Sequence, residues 1–270
     1  MKLSKKLIAA IGMLTLSAVM LVTSSFAWFS MNEKVSANGM IVTAKGDQVY
    51  LQIVNAETAF VAGSAQTSAQ ATSYHGELVD EETKEAKLLP TNVVKSINSG
   101  SIVNYDGGKD FAWVTNIGKA PDNGDPVDDS KYTDVTAATT QEYNNYVLKN
   151  TFKVRLDPTA GASVASGALK IETINLTTTV TENYEKCLSV FVVSTIGGNV
   201  KGAVYDNETG SFVLRAGTSD ALSADPFTNE EATIDVYVFF NGESEFCTLA
   251  NLTAALTKTF QIDITFTVAD

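Results

Sequence analysis

Histidine occurs once in this chain, at position 75, arginine twice, at 155 and 215, and cysteine twice, at 187 and 247. Each scarcity excludes chemistry. A Ser-His-Asp or Cys-His site would have to use His75, and one histidine cannot supply the usual zinc ligand sets. His75 sits in "ATSYHGE", a poor setting for holding a ring rigidly, and reads as an exposed loop residue. The H-E-x-x-H pattern is missing, and no Gly-rich loop follows a strand and opens a helix, so zinc-peptidase and nucleotide chemistry have no motif to stand on. With 31 acids against 19 bases and a net charge of −12, the chain also lacks the clustered Lys and Arg that bind nucleic acid. The same balance disfavours docking on an anionic membrane surface and suits a soluble, self-repelling exported protein, or one that gathers cations. So many acids make any glycosidase-like carboxylate pair uninformative.

What is present begins with an export signal. Lys2, Lys5 and Lys6 precede an almost wholly apolar run, Leu7–Val22, and Ser25-Phe26-Ala27 puts small residues at −3 and −1 of a cut before Trp28. Uncharged residues run on to Asn32, long enough to span a bilayer, so a retained anchor is the competing reading. Residues 1–27 are thus a signal peptide or an anchoring helix, and on either reading the bulk of the chain lies outside the cytoplasm. In an oxidising compartment Cys187 and Cys247 could pair, closing a loop of about 60 residues worth roughly 4 kcal/mol in the chain-entropy model. Two buried thiols in adjacent strands is the alternative.

Beyond the signal, Thr, Ser, Ala, Val and Asn are plentiful, and apolar runs are short and alternating, which favours strands. "GMIVTA" (39–44) and "QVYLQIV" (48–54) read as two strands joined by a hairpin-like turn at Lys45-Gly46-Asp47. Residues 55–77 have little to bury, 79–89 are charged, and 91–135 are crowded with turn formers, with one strand expected at 110–116. The C-terminal half is cleaner, with strands expected at 144–157, 168–180, 187–195, 200–206, 211–217, 232–242 and 258–270. In the last of these Phe260, Ile262, Ile264 and Phe266 share one face; in 232–242, Ile234, Val236, Val238 and Phe240 do the same. One face in a core and one in water is the antiparallel sandwich pattern. "TLANLTAAL" (248–256) is the best short helix, with Thr248 as its cap. The fold expected is all-β: one antiparallel β-sandwich over 36–270, with a loop-rich insertion at 55–143, one short helix, and the hydrophobic N-terminal helix in front.

For metals, the best candidate is the acidic run Asp122, Asp125, Asp128 and Asp129, whose hard oxygens and neighbouring Gly124 suit calcium. Its spacing misses the EF-hand loop, and a solvated acidic loop is the competing reading; no other cofactor is expected. Three glycosylation sequons, at Asn175, Asn207 and Asn251, are close to chance in so Thr- and Asn-rich a chain.

An apolar signal ending in small residues, followed at once by "AWFSMNEKVSANGMIVTA", resembles the N-terminus of the TasA/camelysin family of exported Gram-positive biofilm-matrix fibre proteins. The matching positions are Ala27, Trp28, Phe29, Asn32, Ala37, Gly39 and the strand Met40–Ala44, and the closing "FQIDITFTVAD" is similar in kind to the last strand of such domains. The resemblance implies a jelly-roll-like sandwich, release by a signal peptidase between Ala27 and Trp28, and self-association into extracellular fibres. It further implies that residues 28–44 add as a strand to the next subunit, with Trp28, Phe29, Met40, Ile41 and Val42 at the contact. The aromatic pair could instead end a membrane-spanning helix as an interfacial belt. Other readings are a surface adhesin or ligand-binding module kept by its N-terminal helix, and a camelysin-like metalloendopeptidase, for which no zinc motif is present. A type IV pilin is disfavoured because Leu7–Ala27 carries no glutamate.

Overall fold

Strands whose alternate residues are apolar must bury one face, and the C-terminal strands do so against each other. The computed structural model describes residues 41–45, 51–64, 66–71, 89–98, 101–116, 132–136, 146–157, 167–178, 183–212, 220–224, 226–227, 231–248, 250–251 and 260–269, and the account below concerns those. They form fifteen strands: β1 (Ile41–Lys45), β2 (Leu51–Asn55), β3 (Ser68–Gln70), β4 (Asn92–Val94), β5 (Ser96–Asn98), β6 (Ser101–Val103), β7 (Ala112–Asn116), β8 (Tyr132–Asp134), β9 (Leu148–Leu156), β10 (Ala168–Thr178), β11 (Leu188–Ile196), β12 (Asn199–Asp206), β13 (Ser211–Phe212), β14 (Ala232–Phe240) and β15 (Phe260–Ala269). The protein is all-β.

Two sheets make a sandwich. A six-stranded antiparallel sheet runs β13-β12-β11-β14-β9-β2, and a four-stranded sheet runs β10-β15-β1-β3. Between them lies the main core. Phe152, Val190, Val192, Ile234 and Val236 come from the first sheet, and Leu169, Ile171, Ile262, Ile264 and Phe266 from the second. Ile262, Ile264 and Phe266 are fully buried, as the alternation in β15 requires. Burying each such side chain contributes about 1.5–3 kcal/mol.

The two-layer expectation falls short in β11 and β14. In β11 every residue from Leu188 to Ser194 is buried, and in β14 Tyr237 and Phe239 are buried on the face opposite Val236 and Val238. A strand buried on both faces needs cover on both, and the described residues within 91–135, where many turn formers and one strand were expected, supply it. The sheet β4-β7-β8 packs on the outer face of the six-stranded sheet, making a third layer and a second core. Trp113 of β7 is its centre, with ring centroids 5.1 Å from Phe239 and 6.0 Å from Phe191. Tyr105 and Phe111 close one side, 5.1 and 5.2 Å from Phe191. The Gly202 N–H donates to the Gly107 carbonyl at 3.0 Å, docking this cover on β12. Only glycine fits there, since a Cβ would run into the Tyr105 hydroxyl and lie 2.9 Å from the Phe191 ring.

The hairpin expected between β1 and β2 does not form. Both strands exist, but β1 belongs to the four-stranded sheet and β2 pairs with β9 in the other, so residues 46–50 connect two layers. A turn-forming tripeptide favours a reversal without specifying which sheet the next strand joins. Near the other end, Thr248 caps as expected: its hydroxyl accepts from the Asn251 N–H at 3.2 Å, opening a helical turn whose continuation lies outside the described residues.

The stretch after β2, expected to be unstructured loop or weak helix, folds back on a buried amide. Gln52 donates from Nε2 to the carbonyls of Val61 and Ser64, both at 2.9 Å, and to the Asp157 carboxylate at 3.2 Å, and its Oε1 accepts from Arg155 Nε at 2.8 Å. Asp157 also accepts from the Gly63 N–H at 3.0 Å. Gln52→Leu would leave these partners without their bonds, at a cost of about 2–3 kcal/mol measured by urea denaturation. A loss below about 0.5 kcal/mol would show that the network is not structural.

Candidate functional site

The strand for which the resemblance implies a part in assembly, β1, lies inside the four-stranded sheet. On one side it pairs with β15 in parallel, Ile41 opposite Asp263 through Lys45 opposite Thr267; on the other it pairs antiparallel with β3, Ile41 opposite Gln70 through Thr43 opposite Ser68. The two contacts are unequal: β15 engages all five residues of β1, and β3 only three. Among the described strands β3 pairs with nothing else. Withdrawing β1 would therefore expose the ladder edge of β15 and leave β3 alone, creating a strand-shaped slot. Ile41 and Val42 of the expected contact are in β1. Ala27, Trp28, Phe29 and Met40 lie outside the described residues, as do the N-terminal apolar run, His75 and the acidic run Asp122, Asp125, Asp128 and Asp129. Among the described residues no group of three or more acids, cysteines or histidines is placed to hold a metal, and no helix is long and apolar enough to cross a membrane.

Both cysteines are thiols in this structure. Cys187 is fully buried and its Sγ donates to the Tyr184 carbonyl at 2.7 Å. Burial, and then the nearby Cys247, push its thiol up to about 12. Cys247 packs half-buried on the same core. The sequon nitrogens of Asn207 and Asn251 are engaged, donating to the carbonyls of Glu185 and Phe246, each at 2.8 Å.

Sequence reasoning missed a cleft of about 230 Å³ at one end of the six-stranded sheet. Ser189 of β11 forms its floor, flanked in register by Asp206 of β12 and Phe239 of β14, with Asn92 of β4 on the rim of the third layer. Three carboxylates line it: Asp206, Glu208 and Glu243. Asp206 is tied into the turn below it, accepting from the Glu208 N–H at 3.1 Å and the Thr209 hydroxyl at 3.3 Å. Burial, assisted by the Glu208 charge, nevertheless holds its carboxyl above the usual range. Glu208 Oε2 accepts from the Ser244 hydroxyl. Two polar atoms here are unanswered. Asn92, 8% exposed, uses its Oδ1 for the Val93 N–H, but among the described residues its Nδ2 has no hydrogen-bond partner; neither has the Oγ of Ser189, 1% exposed. The one sequence signal was Ser189 itself, a hydroxyl inside the apolar run "CLSVFVVST".

Compared with family models, curated proteins and solved structures, the chain has no match.

Proposed function

We propose that the chain is an exported structural subunit, cut after Ala27, that assembles into extracellular or cell-surface fibres by exchanging β1 between copies. The observation that carries the reading is the placement of β1. It is an inserted strand, parallel to β15 and held on its second side by three residues of β3, so the slot it fills accepts the same segment from another copy at identical register. Such an exchange forms no contact foreign to the monomer, and when it runs head to tail without closing it gives a filament. The apolar run, the small residues at 25 and 27 and the resemblance at 27–44 support export, signal-peptidase processing and a jelly-roll-like relationship. His75 and the acidic run are assigned no catalytic part.

Electron microscopy of the secreted chain beginning at Trp28 tests this: filaments are expected. Trp28→Ala with Phe29→Ala should weaken polymerisation, by on the order of 3 kcal/mol for each well-buried ring, and removal of residues 28–38 should leave monomers. Filaments formed equally well by the truncated chain would refute strand exchange led by this segment. A second reading, a surface module that binds a ligand, is favoured by the cleft beside Ser189.

A further inference from the structure

We propose that the cleft formed by Asn92, Ser189, Asp206, Glu208, Glu243 and Phe239 binds a neutral sugar residue. Its polar groups are contradictory for most ligands. Three carboxylates repel an anion and call for donors. The Asn92 Nδ2 is a donor only, buried and without a partner among the described residues, and calls for an acceptor. A metal ion or an ammonium group would satisfy the carboxylates and leave the amide unanswered, and the acids here are not grouped as a metal set. A hydroxyl both donates and accepts, so adjacent hydroxyls on one ring can meet Asp206 and Asn92 together, with Ser189 serving either role. Val204, half-buried, gives an apolar wall for the C–H face of such a ring. The volume is below the range of drug-sized pockets, which fits a single ring. The inference is independent of the assembly reading, since β1 contributes nothing to the cleft.

The test is titration of the secreted chain with glucose, galactose, mannose and N-acetylglucosamine, followed by NMR amide shifts, with glucuronate, spermidine and calcium chloride as comparators. One neutral sugar should saturate with a dissociation constant of roughly 1 mM, as expected for so small a ligand, and should shift amides near Val93 and Phe239. Glucuronate should bind at least about tenfold more weakly, because its charge faces the carboxylates. Ser189→Ala should weaken binding about fivefold while leaving the unfolding midpoint unchanged or raised, because it removes a buried hydroxyl that has no partner among the described residues. Asn92→Asp should abolish binding by turning the donor into an acceptor. The proposal is overturned if no neutral sugar saturates by about 50 mM, far above the affinity expected. It is also overturned if both variants bind as the parent does, or if spermidine or calcium shifts the cleft amides and the sugars do not.

Discussion

Trp113→Ala should destabilise the protein by about 3–5 kcal/mol, the largest loss expected from any single truncation in the second core. The indole is fully buried in the middle strand of β4-β7-β8 and meets Phe191, Tyr237 and Phe239 at 6.0, 5.6 and 5.1 Å. These three rings belong to the two central strands of the six-stranded sheet. Phe191 and Tyr237 stack on each other at 5.7 Å, and among the described residues no other layer covers their outer faces. Truncating the indole leaves a void that the facing β11 and β14 cannot collapse into, because their other faces are fixed in the main core. Since whole domains are stable by only about 5–15 kcal/mol, this is a large fraction of the total. Urea denaturation gives the size of the loss. Hydrogen exchange gives its distribution: amides of β4 and β7 should exchange faster before those of β9 and β15. A loss under about 1 kcal/mol would mean that the third layer is not part of the cooperative unit.

The same region shows where sequence reading reached its limit. β9, β10 and β15 were readable because one face is apolar and the other polar over nine to eleven residues. β11 and β14 were readable as strands, but a buried face was assigned only to β14, and the burial of both faces of each strand went unexplained. The cover on their outer faces comes from strands of three to five residues separated by turn formers, too short for a period to emerge. Pairing partners were also out of reach. Lys45-Gly46-Asp47 looks like a local reversal, whereas β1 joins β15, more than two hundred residues later, in parallel. The cleft shares this non-locality. Asn92, Ser189 and Asp206 come from three strands in two sheets and form no spacing pattern, so only the polar residue inside a buried strand hinted at it.

A chain lacking residues 28–45 should be strongly destabilised, and a synthetic peptide of residues 28–45 should restore it in trans. The deletion removes a strand paired on both sides, uncovers the edge of β15 and leaves β3 unpaired among the described strands. β15 carries Ile262, Ile264 and Phe266 into the main core, so the damage does not stay at the edge. In the intact chain β1 is covalently tethered, at an effective concentration on the order of millimolar, so micromolar peptide should rescue only partly and in proportion to its concentration. The parallel register supplies a stricter check. A spin label at the position of Ile41 in the peptide should broaden the amides of Asp263 and Gln70 and spare that of Val268. Thr43→Pro removes an N–H in the middle of a strand paired on both sides and should abolish rescue by the peptide. In the full chain the same substitution should block filament growth. Rescue that tolerates the proline, or broadening centred on Val268, would show that the peptide binds elsewhere and that the slot between β15 and β3 is not the assembly contact.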